Sequence, residues 1–201
     1  MKKENFFGFE KIEKESKVNF LDRDISLTFS FGEEAVRYLP EIRETDLETG
    51  RERYAVLLGS IPQEGEKDYH LLVRGILEAD ENENNHFYRE GKYEITLDLV
   101  AIKDWVQSIR EGVEEYRDFE FIGDIHTHPD LFEGNLDLIC QPSQGDIDDI
   151  IANYENEVLR PDKPFIFGIV GMVDGENQYG FYRLVKDGHV YSLESLKTDL
   201  S

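Results

Sequence analysis

The chain has 201 residues and a mass of 23.4 kDa, a length that favours one domain. Hydrophobic residues make up 39%, with 13 Phe and 10 Tyr, so a packed core is available and a disordered acidic tail is excluded. Acids outnumber bases 44 to 22, and the net charge of −22 excludes a general nucleic-acid binder and docking on anionic membranes. The single Cys forbids an internal disulfide and suits a reducing compartment. Met1-Lys2-Lys3-Glu4 leads into an acid-interrupted stretch without the long apolar segment of a signal peptide, and no apolar run reaches 18 residues. The expected location is therefore the cytoplasm.

Along the chain, residues 17–31 hold β-prone runs around a polar turn at Leu21-Asp22-Arg23-Asp24. They are expected to form a strand pair, the core of an N-terminal extension spanning residues 1–31. A short helix is expected at 32–44, where Ala35, Val36 and Leu39 recur before Pro40. Strands are expected at 52–59, 70–77 and 93–97, with a polar loop at 80–86. Apolar residues at 99, 102, 105, 106, 109, 113 and 116 predict a helix over 99–116. Phe119–Ile125 reads as a strand running straight into His126. A helix at 143–156 and strands at 164–172, 179–185 and 190–196 complete the order. Interspersed strands and helices point to an α/β (α+β) sandwich with a mixed sheet, residues 32–201 forming the main domain.

The chemistry concentrates in Gly123-Asp-Ile-His126-Thr-His128-Pro129 and Pro142-Ser143-Gln-Gly-Asp146. Side chains alternate along a strand, so His126 and His128 project to one side, about 7 Å apart at the backbone, while Thr127 points away. Two imidazoles so placed can ligate one Zn²⁺. A catalytic zinc takes three protein ligands and keeps one position open. Asp146, in the first turn of the next helix, is the natural third ligand, ahead of Asp148 and Asp149. Ser143 is either a helix cap or a hydroxyl aimed at the pocket. A base is still needed outside the ligand set. Glu52 is the candidate, with Glu48 as its rival.

With these residues in order, the chain resembles the JAMM (also called JAB, or MPN-plus) zinc metalloproteases, a family of deubiquitinase-like isopeptidases, over roughly residues 32–185. The matching features are a Glu before a hydrophobic strand ending in Gly59, His-Thr-His-Pro, Ser-x-x-Asp and the closing Gly180–Leu184 strand. The resemblance implies an MPN/JAB-type mixed sheet sandwiched by helices. It implies one zinc per chain held by His126, His128 and Asp146. It also implies Glu52 as general base and then general acid, Ser143 as oxyanion stabiliser, and a zinc-activated water as nucleophile. The implied substrate is an isopeptide or peptide bond at the C-terminal tail of a ubiquitin-like protein, or its conjugate. Conjugation-pathway enzymes would be further partners. The sequence departs from the family in one respect. Seventeen residues separate His128 from Asp146, several more than usual. The extra loop, Asp130 to Gln141, is the candidate substrate contact, and its Cys140 a candidate latent zinc ligand. Eight acids and no Lys or Arg lie between Pro129 and Leu159, which suits a partner with a basic face. The competing readings are a peptidase that matures a sulfur-carrier protein and, from another class, a non-catalytic MPN scaffold.

Overall fold

The computed structural model describes residues 18–62, 65–79, 98–129 and 140–198, and the backbone alone of residues 88–91 and 94–97. The strands are β1 (Ser26–Phe31), β2 (Tyr54–Ser60), β3 (Asp68–Glu78), β4 (Tyr88–Gly91), β5 (Glu94–Leu97), β6 (Glu120–Thr127), β7 (Ile166–Val173), β8 (Glu176–Asp187) and β9 (Val190–Leu196). The α-helices are α1 (Glu44–Thr49), α2 (Leu99–Gly112) and α3 (Gln144–Glu155).

Tyr54 to Leu58 are five consecutive residues with no exposure. A strand that is apolar on both faces needs cover on both, so β2 belongs in the middle of a sheet. It lies there, in a seven-stranded sheet of order β1-β3-β2-β6-β7-β8-β9. β1 runs parallel to β3, and β6 parallel to β7; the other neighbours are antiparallel. β4 and β5 pair separately. Two glycines let the central strands approach closely. A Cβ at Gly123 would fall 2.0 Å from the Ile166 carbonyl oxygen, and one at Gly59 would fall 2.2 Å from the Leu72 carbonyl oxygen.

The apolar residues divide into two clusters. One joins Leu99, Ile102 and Val106 of α2 and Ile150 and Tyr154 of α3 to the Tyr54, Val56 and Leu58 face of β2. The other joins Ala55 and Leu57 on the opposite face to Phe29, Leu71, Ile125, Val170 and Phe181. That second cluster draws mainly on strands. Phe29 of β1 meets Phe181 of β8 edge to face at 4.8 Å, although four strands separate them in the sheet. The buried Arg183 of β8 donates to the Ile25 carbonyl just before β1 at 2.7 Å. The sheet is therefore curled into a half-barrel.

This corrects the expected fold class. The protein is mostly β, 39% strand and 26% helix, and is not an MPN/JAB-type α/β (α+β) sheet sandwiched by helices. The physical reason lies in the second cluster. The sheet's own curl covers that face, so no second helical layer is required there. The helix expected at 32–44 contributes to the difference. Pro40 disturbs it, and the segment becomes a 3-10 turn at Ala35–Tyr38 followed by the six-residue α1.

Other elements depart less. The strand pair expected over 17–31 is one strand, β1, which forms an edge of the main sheet; residues 1–17 lie outside the described residues. α2 begins at Asp98, whose carboxylate accepts from the Val100 and Ala101 amides at 3.0 and 3.1 Å. It ends at Gly112 rather than 116, and a 3-10 turn at Glu114–Tyr116 follows. The loop expected at 80–86 lies outside the described residues, as does most of the 130–141 insertion. No described helix is long and apolar enough to cross a membrane.

Candidate metal centre

β6 carries His126 to its C-terminal end and places His128 one residue beyond it. The His128 amide still donates to the Val170 carbonyl at 2.8 Å, so the ladder with β7 extends past the strand and fixes the second imidazole. Thr127 points to the other face, as alternation requires, and its hydroxyl accepts from the Arg53 amide at 2.8 Å. The two His Nε2 atoms come within 3.0 Å of each other.

α3 supplies the third group. Ser143 caps it, and its Oγ accepts from the Asp146 amide at 3.2 Å. The Asp146 carboxylate in turn accepts from the Ser143 amide at 2.6 Å. This capping box holds Asp146 at the helix N-terminus, where a negative charge is favoured. Its two oxygens lie 3.4 Å from His126 Nε2 and 3.6 Å from His128 Nε2. Ligands about 2.0–2.1 Å from a tetrahedral ion sit roughly 3.3–3.4 Å from one another. The observed separations of 3.0, 3.4 and 3.6 Å bracket that spacing, and the three residues form a group able to hold a metal ion. Two imidazoles and one carboxylate are a donor set suited to zinc.

Glu52 reaches the site through β-sheet register. Tyr54 of β2 pairs with His126, and the Thr127 amide donates to the Arg53 carbonyl at 2.9 Å. Extending the same register sets Glu52 opposite His128. Glu52 is only 5% exposed, and its charge contributes to raising the pKa of His126. Its carboxylate is outside the three-residue ligand group, where a base should be. The rival Glu48 sits exposed in α1. Asp148 and Asp149 are exposed on α3 and do not join the ligand group.

Cys140 does not join that group either. Its thiol donates to the Gln178 carbonyl at 3.2 Å, and its own carbonyl accepts from the Tyr182 hydroxyl at 2.8 Å. Burial pushes the thiol pKa up, which disfavours the thiolate needed for ligation. The rest of the suspected substrate loop, residues 130–139, lies outside the described residues.

One residue of the site escaped the sequence reading. Asp124, two residues before His126 on the same strand face, is 7% exposed. Its Oδ2 accepts from the buried Tyr54 hydroxyl at 3.3 Å. The available signal was an acid inside the apolar part of the strand, in phase with both histidines. Burial drives the Asp124 pKa up to about 7, against the opposing influences of His126 and the Tyr54 hydrogen bond. Burial, with the charge of His126, lowers His128 to about 4. For His126, burial is outweighed by its hydrogen bond to Asp146 and by the charges of Asp146, Asp124 and Glu52, so its pKa rises. Burial alone would raise Asp146, but its contacts with His126, His128 and Ser143 hold it well below the usual carboxylate range. Three carboxylates therefore surround two imidazoles, an arrangement that a divalent cation would neutralise.

A pH prediction follows from two of these groups. Asp124 ordinarily titrates near 3.8, so metal-free protein loses stability from this group as pH rises from about 4 to 7. His128 acts in the opposite sense. Its folded value lies below the ordinary 6.5, so its contribution is lost as pH falls from 6.5 towards about 4. Asp124→Asn removes the first effect and keeps an acceptor for Tyr54. Thermal melts of metal-free Asp124→Asn should show greater stability than wild type at pH 8, on the order of 2–4 kcal/mol, and a steeper acid loss between pH 6.5 and 4. An unchanged pH slope would show that Asp124 does not titrate in this range.

No family model matches the chain, and no curated protein matches it.

Proposed function

We propose that the protein is a zinc-dependent hydrolase that cleaves an amide, an isopeptide or peptide bond at the C-terminal tail of a ubiquitin-like protein. The observation that carries this reading is the convergence of His126, His128 and Asp146 on one point with the buried Glu52 beside them. The order Glu, His-Thr-His-Pro, Ser-x-x-Asp, which resembles the JAMM metalloproteases, supports the substrate class. The fold differs from the sandwich expected with that resemblance, so the reading rests on the site and its motif rather than on architecture.

When bound, zinc supplies Lewis acidity and brings the pKa of a coordinated water towards neutrality. The chain's own residues account for the proton movements. Glu52 accepts the proton of the attacking water and delivers it to the leaving amine, which must depart neutral. The Ser143 Oγ accepts from the Asp146 amide, and its O–H, which contacts the Asp146 carboxylate, turns to donate to the developing oxyanion. Asp146 and the two imidazoles act as ligands.

The test is metal content together with turnover. Purified protein should carry close to one zinc per chain. It should release the C-terminal fragment from a ubiquitin-like protein extended by a peptide or joined through a lysine isopeptide. A sulfur-carrier precursor processed in place of the ubiquitin-like protein would reassign the substrate within the same chemistry. Protein that binds no zinc after preparation in zinc-supplemented buffer, and cleaves neither substrate, would favour the scaffold reading.

A further inference from the structure

At the opposite end of β6 from the metal centre, a cavity of about 220 Å³ opens between α2, the start of β6 and the segment leading into β7. It begins at Glu120 and Phe121, so about 20 Å of strand separates it from His126. Its charge is the reverse of the molecule's. The chain carries 44 acids and 22 bases, yet this cavity is lined by Lys103, Arg110, Arg160 and Lys163 and by one acid, Glu120.

Two of the four cations are already neutralised. Lys163 pairs with Glu120 at 2.5 Å, and Arg160 forms a fork on Asp162. The other two have only carbonyl partners among the described residues. Lys103 donates to the Val158 carbonyl, and Arg110 donates to the Arg117 carbonyl at 3.2 Å. The Arg110 Nε is buried and has no partner. Burial and the nearby Arg160 charge lower the pKa of Lys103, and an anion seated beside its ammonium would favour the charged form again. Lys103 and Arg110 stand seven residues apart, on one face of α2 and about 10 Å apart along its axis. Between them lie apolar walls that include Phe121, Leu159 and Phe165.

We propose that this cavity binds a small organic phosphate carrying at least two negative charges, its anionic groups held by Lys103 and Arg110 and its body against the Phe121, Leu159 and Phe165 wall. Charge matching selects this class. Two unneutralised cations suit a dianion, and a phosphate ester carries about −1.5 to −2 near neutral pH. The apolar wall selects an organic body over inorganic phosphate alone. The inference is independent of the hydrolase reading.

The probes are inorganic phosphate, pyrophosphate and ADP, titrated at constant ionic strength and followed by thermal shift and amide NMR. ADP should raise the melting temperature more than inorganic phosphate does, and should move the amides of Phe121, Leu159 and Phe165. Lys103→Gln/Arg110→Gln should weaken ADP binding at least about tenfold, the scale of one charge-assisted contact. Arg110→Gln alone, which leaves the Lys103 contact to the 158 carbonyl intact, should weaken it about threefold or more. Because these anions also chelate metals, the titration is repeated on Asp146→Asn, where binding should persist. No response to any probe, or equal affinity in the double variant, would overturn the proposal. So would binding that disappears with Asp146→Asn.

Discussion

Replacing Asp146 with asparagine should cut bound zinc from about one per chain to a small fraction and abolish turnover. The neutral amide keeps the size of the carboxylate, and its oxygen can still accept from the Ser143 amide, so α3 stays capped. What is lost is the negative charge that stands 3.4 and 3.6 Å from the two imidazoles. A metal ligand that is neutral and weakly basic holds a divalent ion poorly, and two imidazoles alone leave it largely hydrated. Affinity should fall at least about a hundredfold, larger than the 10–100-fold typical of losing a residue that merely supports a ligand. Metal analysis by mass spectrometry after dialysis reads this directly. Full zinc occupancy in Asp146→Asn would remove Asp146 from the ligand set and leave the centre without a third protein donor.

Glu52→Gln should show the complementary result, with zinc retained and turnover lost. Glu52 lies outside the ligand group, so the ion's protein contacts survive the substitution. Glutamine fills the same buried space but cannot take a proton. A positioned general base contributes about 10²–10⁴ to rate, so kcat should fall by roughly a thousandfold with little change in KM. Removing the charge also removes one of the influences that raise the His126 pKa, so His126 in metal-free Glu52→Gln should titrate lower than in wild type. NMR titration of the imidazole separates this electrostatic effect from the kinetic one. Glu52→Gln that loses zinc as completely as Asp146→Asn would make Glu52 a ligand. Glu52→Gln that keeps both zinc and rate would move the base elsewhere, with Asp124 next in line on the same face.

Much of the site was legible because its parts are local. Strand alternation alone set His126 and His128 on one face, and a Ser three residues before an Asp is a capping signature wherever a helix starts. Glu52 was legible as the acid that opens a strand able to lie beside the His strand. Its distance to the histidines depends on the pairing of Tyr54 with His126, which is a contact 72 residues apart. Asp124 escaped because an acid in an apolar strand looks the same whether it is buried or solvated. Its burial depends on the neighbouring strand, where Val56 lies across from it and the Tyr54 hydroxyl reaches it diagonally. Cys140 was suggested by its nearness in sequence to the ligands, but its thiol bonds to β8.

The basic cavity had no local signature at all. Lys103 and Arg110 share a helix face, while Arg160 and Lys163 come from a turn some fifty residues later. In a chain with twice as many acids as bases, nothing in composition marks four cations as neighbours.

Most of the strands and helices, the two-histidine face and the capped aspartate were written in short-range periodicity, where each residue's direction follows from its immediate neighbours. The layer architecture was not. Whether a sheet's second face needs helices or closes on itself depends on twist accumulated over seven strands and on meetings such as Phe29 with Phe181, 152 residues apart. Such contacts are set by the whole packed core, and so only the folded molecule decided that one face takes the helices while the other curls shut.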